Sequence, residues 1–201
     1  ALEGTDIIVV SDEIYAELTY KGTHCAFASI ADMYERTITI NGFSKAFAMT
    51  GWRLGYVMAP EPLLQQMLKI HQFTMLCAPI TSQMAAIEAL KHGFDSDFSD
   101  VRAMRREYNR RRNFVVHQFN EMGLECFDPL GAFYAFPRIS KTGLDSETFC
   151  TRLLMEKKVA VVPGTAFGAS GEGFVRATYA TSMDNLIEAC KRIREFVDSV
   201  V

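Results

Sequence analysis

The sequence predicts an α/β protein in which a strand-and-helix domain, residues 1–93, is followed by an α+β domain, residues 94–201. Two changes along the chain predict this division. Short apolar runs rich in β-branched residues alternate with stretches of helical periodicity up to Gly93. The strands predicted after Gly123 come in shorter pieces, and a final amphipathic helix follows them.

The first domain begins with three predicted strands. Ile7–Val10 is a continuous apolar run of the kind found in parallel strands that are covered on both faces. Thr37–Ile40 runs into Asn41-Gly42, which is a strong turn signal. The third strand, Leu54–Ala59, ends at Pro60. Because a strand cannot continue through proline in a central position, this boundary is well marked.

Two helices complete the first domain. Pro62 suits the first turn of a helix that continues through about Ile70, since apolar residues follow it at near-helical spacing. A second helix is predicted to begin after Pro79 and to continue to about His92, with Gly93 as its C-cap.

The second domain begins with a long charged helix, predicted from Asp95 to about Met122 and ended by Gly123. Its arginines are interpreted as a solvated face that includes Glu107; they are Arg105, Arg106, Arg110, Arg111 and Arg112. Later strands are predicted at Leu124–Phe127, Ala132–Phe136, Val159–Val162 and Phe174–Ala180, with helices at Ser146–Lys157 and about Met183–Val200.

Composition excludes several classes of function. A formal net charge of −3 over 201 residues favours neither a nucleic acid nor an anionic membrane as partner. The 5 cysteines lack any CxxC pair, which indicates free thiols in a reducing compartment. The 4 histidines show no ligand spacing, so no metal site is predicted. With neither a long apolar run nor a signal-peptide pattern, a cytoplasmic protein is expected.

The most informative segment is residues 41–56, NGFSKAFAMTGWRLGY, which contains Lys45 just past a predicted strand. An amine must be unprotonated to form an imine, and a desolvated or cationic site favours that state. Arg53 follows eight residues later, and its planar guanidinium suits a phosphate. The segment closely resembles the cofactor-lysine segment of class I aminotransferases. The resemblance implies that Lys45 bonds the cofactor and that Arg53 binds its phosphate.

A second group of residues follows the first strand directly. Asp12 and Tyr15 belong to the segment SDEIY, which resembles the DExY element of the same family. Open α/β sheets bind ligands at the carboxyl ends of their strands, where Asp12 and Lys45 both lie. The resemblance implies that Asp12 keeps a pyridine nitrogen protonated and that Tyr15 donates to the ring oxygen. No role is assigned to Glu13.

Three further segments match the family. Arg176, in the last predicted strand, resembles the arginine that binds the α-carboxylate of the substrate. The segments GAFYAFP, residues 131–137, and VPGTAFG, residues 162–168, resemble family motifs and are interpreted as mostly architectural. Trp52 is likewise interpreted as a packing residue.

Together these segments resemble the C-terminal portion of the fold-type I, pyridoxal-phosphate-dependent aminotransferases of class I/II, particularly the aspartate and aromatic group. The resemblance covers about Thr5 to Val200. It implies the later part of a large cofactor-binding domain, with a mostly parallel sheet, followed by a small C-terminal domain. It also implies pyridoxal 5'-phosphate as cofactor, an amino acid and a 2-oxo acid as substrates, and a homodimer for the full-length protein. Lys45 would form the internal imine and then move the proton.

The chain is expected to be a fragment. It starts at Ala1 directly before a buried-type strand, and no segment matches the family's cofactor-stacking aromatic residue or phosphate loop. Gly42 stands where many relatives carry a phosphate-binding serine, so phosphate binding would depend on Arg53 and backbone donors. We therefore expect little or no turnover from these 201 residues alone.

Two alternatives remain open at this point. Other fold-type I enzymes, such as β-lyases, decarboxylases and cyclopropane-forming lyases, share the lysine and both arginines. An aminotransferase-like domain can also serve as the effector-binding part of a transcription regulator. A helix-turn-helix in preceding sequence would indicate the regulator, and a cofactor-binding half would indicate the enzyme.

Overall fold

The computed structural model describes residues 2–201. The chain divides between Arg105 and Arg106 into two compact units. This division lies inside a long helix, whereas the sequence places a domain boundary after residue 93. That boundary stays a prediction, and the two units are described separately.

The first unit contains a three-stranded sheet in the order β1 (Val9–Asp12), β2 (Thr37–Gly42) and β3 (Gly55–Met58). β1 is parallel to β2, and β3 is antiparallel to β2, with Gly42 opposite Gly55. Because of these directions, the carboxyl ends of β1 and β2 and the amino end of β3 lie at one edge of the sheet. We call this edge the strand-end edge.

β1 differs from its prediction in position and in burial. It begins at Val9 instead of Ile7, and Val10 is 62% exposed. Within residues 2–201 the strand pairs on one side only, with β2, so its outer edge and much of its apolar surface are uncovered. The prediction that both faces are covered is therefore wrong for the residues that the structure describes.

Three helices follow within or directly after this sheet: α1 (Phe43–Ala46), α2 (Glu61–Thr74) and α3 (Ile80–Asp95). α2 has its proline in the first turn, as predicted. α3 continues through Gly93, so the predicted C-cap is wrong. A Cβ on Gly93 would lie 2.5 Å from a ring carbon of Phe98. Gly93 is therefore a packing position, which the sequence pattern could not reveal.

The core of the first unit joins α1 to α3. Phe43 and Met49 are buried with Ala86 of α3, and partly buried apolar side chains pack against them: Phe47, Leu54, Ala85, Ala89 and Leu90. Burial of this cluster is the main driving force that fixes the short α1, since four residues cannot hold a helix by themselves.

α4 (Ser99–Glu121) is the long helix that was predicted from Asp95, but it begins later because Asp95 is the last residue of α3. On its exposed side, Arg110 and Arg111 both donate to Glu107 at 2.9 Å, and these hydrogen bonds lower the pKa of Glu107 to about 2. Arg112 instead is only 3% exposed and donates to Asp128 Oδ1 at 2.7 Å. The prediction of a solvated arginine face is thus wrong for Arg112, because the loop around Asp128 packs on that side of the helix.

The second unit has a three-stranded antiparallel sheet and two helices. Its strands, in the order β4-β6-β5, are β4 (Tyr134–Ala135), β5 (Val162–Pro163) and β6 (Val175–Thr178), and its helices are α5 (Ser146–Lys157) and α6 (Met183–Val200). Both helices have the predicted bounds. Phe149 of α5 and Phe196 of α6 pack edge to face, 5.3 Å apart, in the buried core.

The predicted strand Leu124–Phe127 is not a strand in the structure. The amide of Cys126 donates to Asn120 Oδ1 at 2.9 Å, so a side chain takes the place of a neighbouring strand. None of the helices within residues 2–201 combines the length and the apolar character that crossing a membrane requires.

Candidate active site

The strand-end edge brings together residues that the sequence singled out. Asp12 is the last residue of β1 and lies opposite Ile40 of β2. Lys45 lies in α1, which begins directly after β2. Arg53 precedes β3 by two positions. The strand directions therefore place a carboxylate, an amine and a guanidinium at the same edge of the first unit.

Lys45 is half-buried and lies next to Tyr15. Its Nζ atom is 5.6 Å from the centre of the Tyr15 ring, which is within the range of a cation–π contact. The buried neighbours Phe43 and Ala46 of the same short helix hold the backbone on the core. The amine and the phenol are thus neighbours, as a shared ligand at this edge would require.

The turn after β1 presents one carboxylate outward and another inward. Asp12 is exposed, and its Oδ1 accepts a hydrogen bond from the amide of Ile14 at 3.1 Å. Glu13 is only 7% exposed. Its Oε1 accepts from the amide of Phe27 at 2.9 Å, and its Oε2 lies 2.8 Å from Nε2 of His24. The inward carboxylate therefore ties the turn to the loop of residues 21–27.

The sequence reasoning assigned no role to Glu13, whose buried carboxylate holds the turn that carries Asp12. Burial raises its pKa, but the hydrogen bonds from His24, Phe27 and Ser11 lower it by more, so the pKa lies below the ordinary 4.5. The carboxylate is consequently ionised at neutral pH. The position of Glu13 between Asp12 and Tyr15 was the one sequence feature that could have indicated a role. Only its burial in the structure distinguishes it from a solvated glutamate.

Arg53 adopts an uncommon backbone conformation. Its φ is +52°, in the left-handed region, and its Nη1 donates to the carbonyl oxygen of Thr50 at 2.9 Å. Ala48 has a φ of +53° in the same segment. Left-handed non-glycine residues store strain and concentrate at functional sites. Trp52, which was expected to pack, is 46% exposed in this part of the structure.

Gly42 is explained by its contact with β3. A Cβ at this position would lie 2.8 Å from the Cα of Gly55 and 3.0 Å from the carbonyl oxygen of Leu54. Both contacts are with backbone, so a side chain would force the two strands apart. The structure thus gives a physical reason for glycine at this position. Phosphate contacts here would come from Arg53 and backbone N–H groups.

The second unit contains Arg176 in the middle strand of its sheet, β6. The guanidinium carbon lies 4.4 Å from the centre of the Tyr134 ring and 4.2 Å from that of Phe167. Within residues 2–201 its side chain makes neither a hydrogen bond nor a salt bridge. The segments around Tyr134 and Phe167, interpreted from the sequence as mostly architectural, each supply a ring that contacts this arginine.

The chain matches known proteins along almost its whole length. The family model for aminotransferase class I and II matches residues 2–193. The aspartate aminotransferase of Pyrococcus abyssi (strain GE5 / Orsay) is 50% identical over 191 residues, which is 94% of this chain and 49% of that protein. The aromatic-amino-acid aminotransferase 2 of Thermococcus litoralis is 48% identical, again over 94% of this chain and 49% of that protein. A crystal structure of an aromatic aminotransferase from Pyrococcus horikoshii OT3 has a TM-score of 0.90 at 48% identity, and covers 96% of this chain and 52% of that one.

The chain belongs to the class I and II aminotransferase family. The resemblance drawn from the motifs is confirmed, and so is the prediction of an α/β, fold-type I architecture. The chain spans about half the length of the curated relatives it matches. The roles of the individual site residues stay predictions.

Proposed function

We propose that the full-length protein containing this chain is an aminotransferase that moves an amino group between an amino acid and a 2-oxo acid, with pyridoxal 5'-phosphate bound through Lys45. The observation that carries the proposal is the strand-end edge. There the amine of Lys45, the phenol of Tyr15, the carboxylate of Asp12 and the guanidinium of Arg53 occur in the order of the family's motifs.

The chemistry of these four groups fits the cofactor. Pyridoxal phosphate has an aldehyde, a ring nitrogen, a ring hydroxyl and a phosphate. Lys45 would bond the aldehyde carbon, and the exposed carboxylate of Asp12 would accept a hydrogen bond from the protonated ring nitrogen. Tyr15 would donate to the ring oxygen, and the planar fork of Arg53 would bind the phosphate. When bound, the cofactor supplies an electron sink for the charge that develops at the substrate Cα.

The chain's own residues would then bind the substrate and move its proton. The substrate amine would first replace Lys45 on the aldehyde carbon, which frees the lysine amine. Lys45 Nζ would then take the proton from the substrate Cα and deliver it to that same carbon. Arg176 would bind the α-carboxylate of the substrate through a bidentate pair. The contacts that read the substrate's side chain are not assigned, so the proposal extends to an amino acid with a 2-oxo acid acceptor and no further.

Assembly and location are also proposed. The end of α2 and the residues after it expose apolar side chains, since Phe73 is 92% and Leu76 73% exposed. Apolar surface of this kind supports association, and we retain the homodimer of the full-length protein as a prediction. A cytoplasmic location and a small domain of residues 94–201 are retained in the same way.

The experiment that tests the function is a half-reaction with the full-length protein at saturating pyridoxal phosphate. Several amino acids are each supplied without an acceptor, and the yield of the matching 2-oxo acid per bound cofactor is measured. We expect about one equivalent of 2-oxo acid per cofactor from the full-length protein and a far lower yield from residues 1–201 alone. Release of ammonia by elimination, with no amino group transferred, would indicate a lyase instead. No cofactor-dependent reaction at all would indicate an effector-binding domain.

A further inference from the structure

Arg176 lies against two aromatic rings from different segments of the second unit. Tyr134 belongs to β4, which pairs with β6, and Phe167 lies in the turn that follows β5. Their ring centres are 4.4 and 4.2 Å from the guanidinium carbon. Both distances are short for cation–π contacts, so the two rings partly stabilise the positive charge of the guanidinium.

The two rings are themselves supported by further aromatic residues. Phe167 contacts Phe136 at 6.2 Å, edge to face, and Phe136 stacks on Phe174 at 5.4 Å with an interplanar angle of 14°. On the other side, Tyr134 contacts Phe133 at 4.8 Å. These contacts restrict both rings, and through them they restrict Arg176. We call Tyr134 and Phe167 the aromatic clamp.

The clamp holds the guanidinium without using its hydrogen-bond donors. Within the described residues 2–201 those donors have neither a hydrogen-bond acceptor nor a carboxylate partner. Arg112, by contrast, is held by hydrogen bonds to Asp128 and Pro129, as buried polar groups ordinarily are. A guanidinium held by rings is thus kept in place while its N–H groups stay available for an incoming planar anion.

The exposure of Phe167 separates this arrangement from ordinary core packing. Its side chain is 49% exposed, although a phenylalanine is among the residues most often buried. A phenylalanine that contributed only to the core would lose most of its solvent contact. A ring that contacts a cation and is also half-exposed is well placed to line a ligand site.

We propose that Tyr134 and Phe167 are positioning residues that hold Arg176 in the orientation that receives the substrate carboxylate. The clamp limits the rotamers of a long side chain before the ligand arrives, so less conformational freedom is lost on binding. The ligand class is a planar carboxylate that approaches the rim of the guanidinium. This inference rests on the proposed function for the identity of the substrate, but the contact with a carboxylate can be tested without turnover.

The test compares substitutions that remove a ring with substitutions that keep it. Phe167→Leu and Tyr134→Leu keep apolar bulk and lose the aromatic face, whereas Phe167→Tyr and Tyr134→Phe keep that face. The matched control is Phe127→Leu, because Phe127 is 64% exposed in the same unit and makes no aromatic contact among residues 2–201. Propionate serves as the probe, and its Kd for the full-length protein is measured by ligand-observed NMR with and without pyridoxal phosphate.

We expect each ring-removing variant to weaken propionate binding by about 5- to 30-fold, in line with the strength of a partly desolvated cation–π contact. With amino acid substrate, KM should rise by a similar factor while kcat changes by less than about threefold. The ring-keeping variants and Phe127→Leu should bind propionate as the unmodified protein does. If the rings only stabilised the fold, the ring-removing and ring-keeping variants would not differ in this way in propionate affinity and in KM.

Two results would overturn the proposal. One is unchanged propionate binding in both ring-removing variants. The other is equal weakening in the ring-keeping variants, which would show that the aromatic face is not the cause. Should Phe167→Leu fail to fold, Tyr134→Leu against Tyr134→Phe decides the matter. Failure of the proposed function is a separate outcome, because it would appear as absence of cofactor bound at Lys45 while propionate still bound through Arg176.

Discussion

In the first unit the amine of Lys45 is placed by the backbone, because α1 begins where β2 ends and the core holds that short helix. In the second unit the guanidinium of Arg176 is placed by the rings of Tyr134 and Phe167. The first arrangement depends on strand register and on close approach between strands. The second depends on side-chain contacts, so Lys45 and Arg176 should respond differently to mutation.

The largest expected effect is at Lys45. Lys45→Ala removes both the attachment to the cofactor and the group that moves the substrate proton. We expect turnover of the full-length protein to fall by about four orders of magnitude or more. The rate of the half-reaction with an amino acid is the measurement, and Lys69→Ala, on the exposed side of α2, is the control. A variant that retained a tenth of the activity would show that another lysine carries the cofactor.

The next effect in size is at Arg176. Arg176→Lys keeps the charge but loses the planar fork, so bidentate pairing with the carboxylate is lost. We expect kcat/KM to fall by about two to three orders of magnitude, which corresponds to a few kcal/mol of transition-state binding. Cofactor affinity should barely change. If the variant instead lost cofactor and handled substrate normally, Arg176 would belong to the cofactor site.

A third effect is expected at Gly42, where β2 and β3 approach each other closely. Gly42→Ser places an atom 2.8 Å from the Cα of Gly55, so β2 and β3 must separate locally. We expect a loss of about 1 to 3 kcal/mol in the free energy of unfolding, measured by denaturant titration. Gly51→Ser is the control, because a Cβ there meets nothing within 4 Å. Equal stability of the two variants would contradict the close approach of the strands.

A smaller, pH-dependent effect is expected at Glu13. Its pKa is lowered in the folded state, so its stabilising contribution is present above the ordinary pKa of 4.5 and is lost as the pH falls through the folded-state value. Glu13→Gln should therefore cost about 1 to 2 kcal/mol at pH 7, and less in acid. The measurement is the difference in unfolding midpoint between the variant and the unmodified protein, taken at pH 7 and again in acid. The control is Glu17→Gln, because Glu17 is exposed. A pH-independent difference would mean that the charge of Glu13 does not contribute.

Elements with local signals were the most predictable from the sequence. α5 and α6 have their predicted bounds, and each begins at a capping side chain, Asp145 accepting from the amide of Thr148 and Ser182 from that of Asn185. Features that depend on side-chain packing were missed. The ring of Phe98 occupies the space that a side chain at Gly93 would need, and no sequence pattern indicated this contact.

The candidate site shows the same limit. Asp12 and Lys45 could be placed together from the sequence, since both follow strands and parallel strands end at one edge. The contacts of Arg176 could not, because Tyr134 comes from a distant strand and Phe167 reaches the guanidinium only through the turn that follows β5. Glu13 was missed because a solvated and a buried glutamate look alike in a sequence. Tertiary burial, not residue type, distinguishes these residues.

The proposed function depends most directly on the bond between Lys45 and the cofactor. The full-length protein is incubated with pyridoxal phosphate, reduced with borohydride, digested and mapped by mass spectrometry. We expect one reduced pyridoxyl label per chain, on the peptide that contains Lys45, and no label there in Lys45→Ala. A label of the same stoichiometry on any other lysine would contradict the central claim.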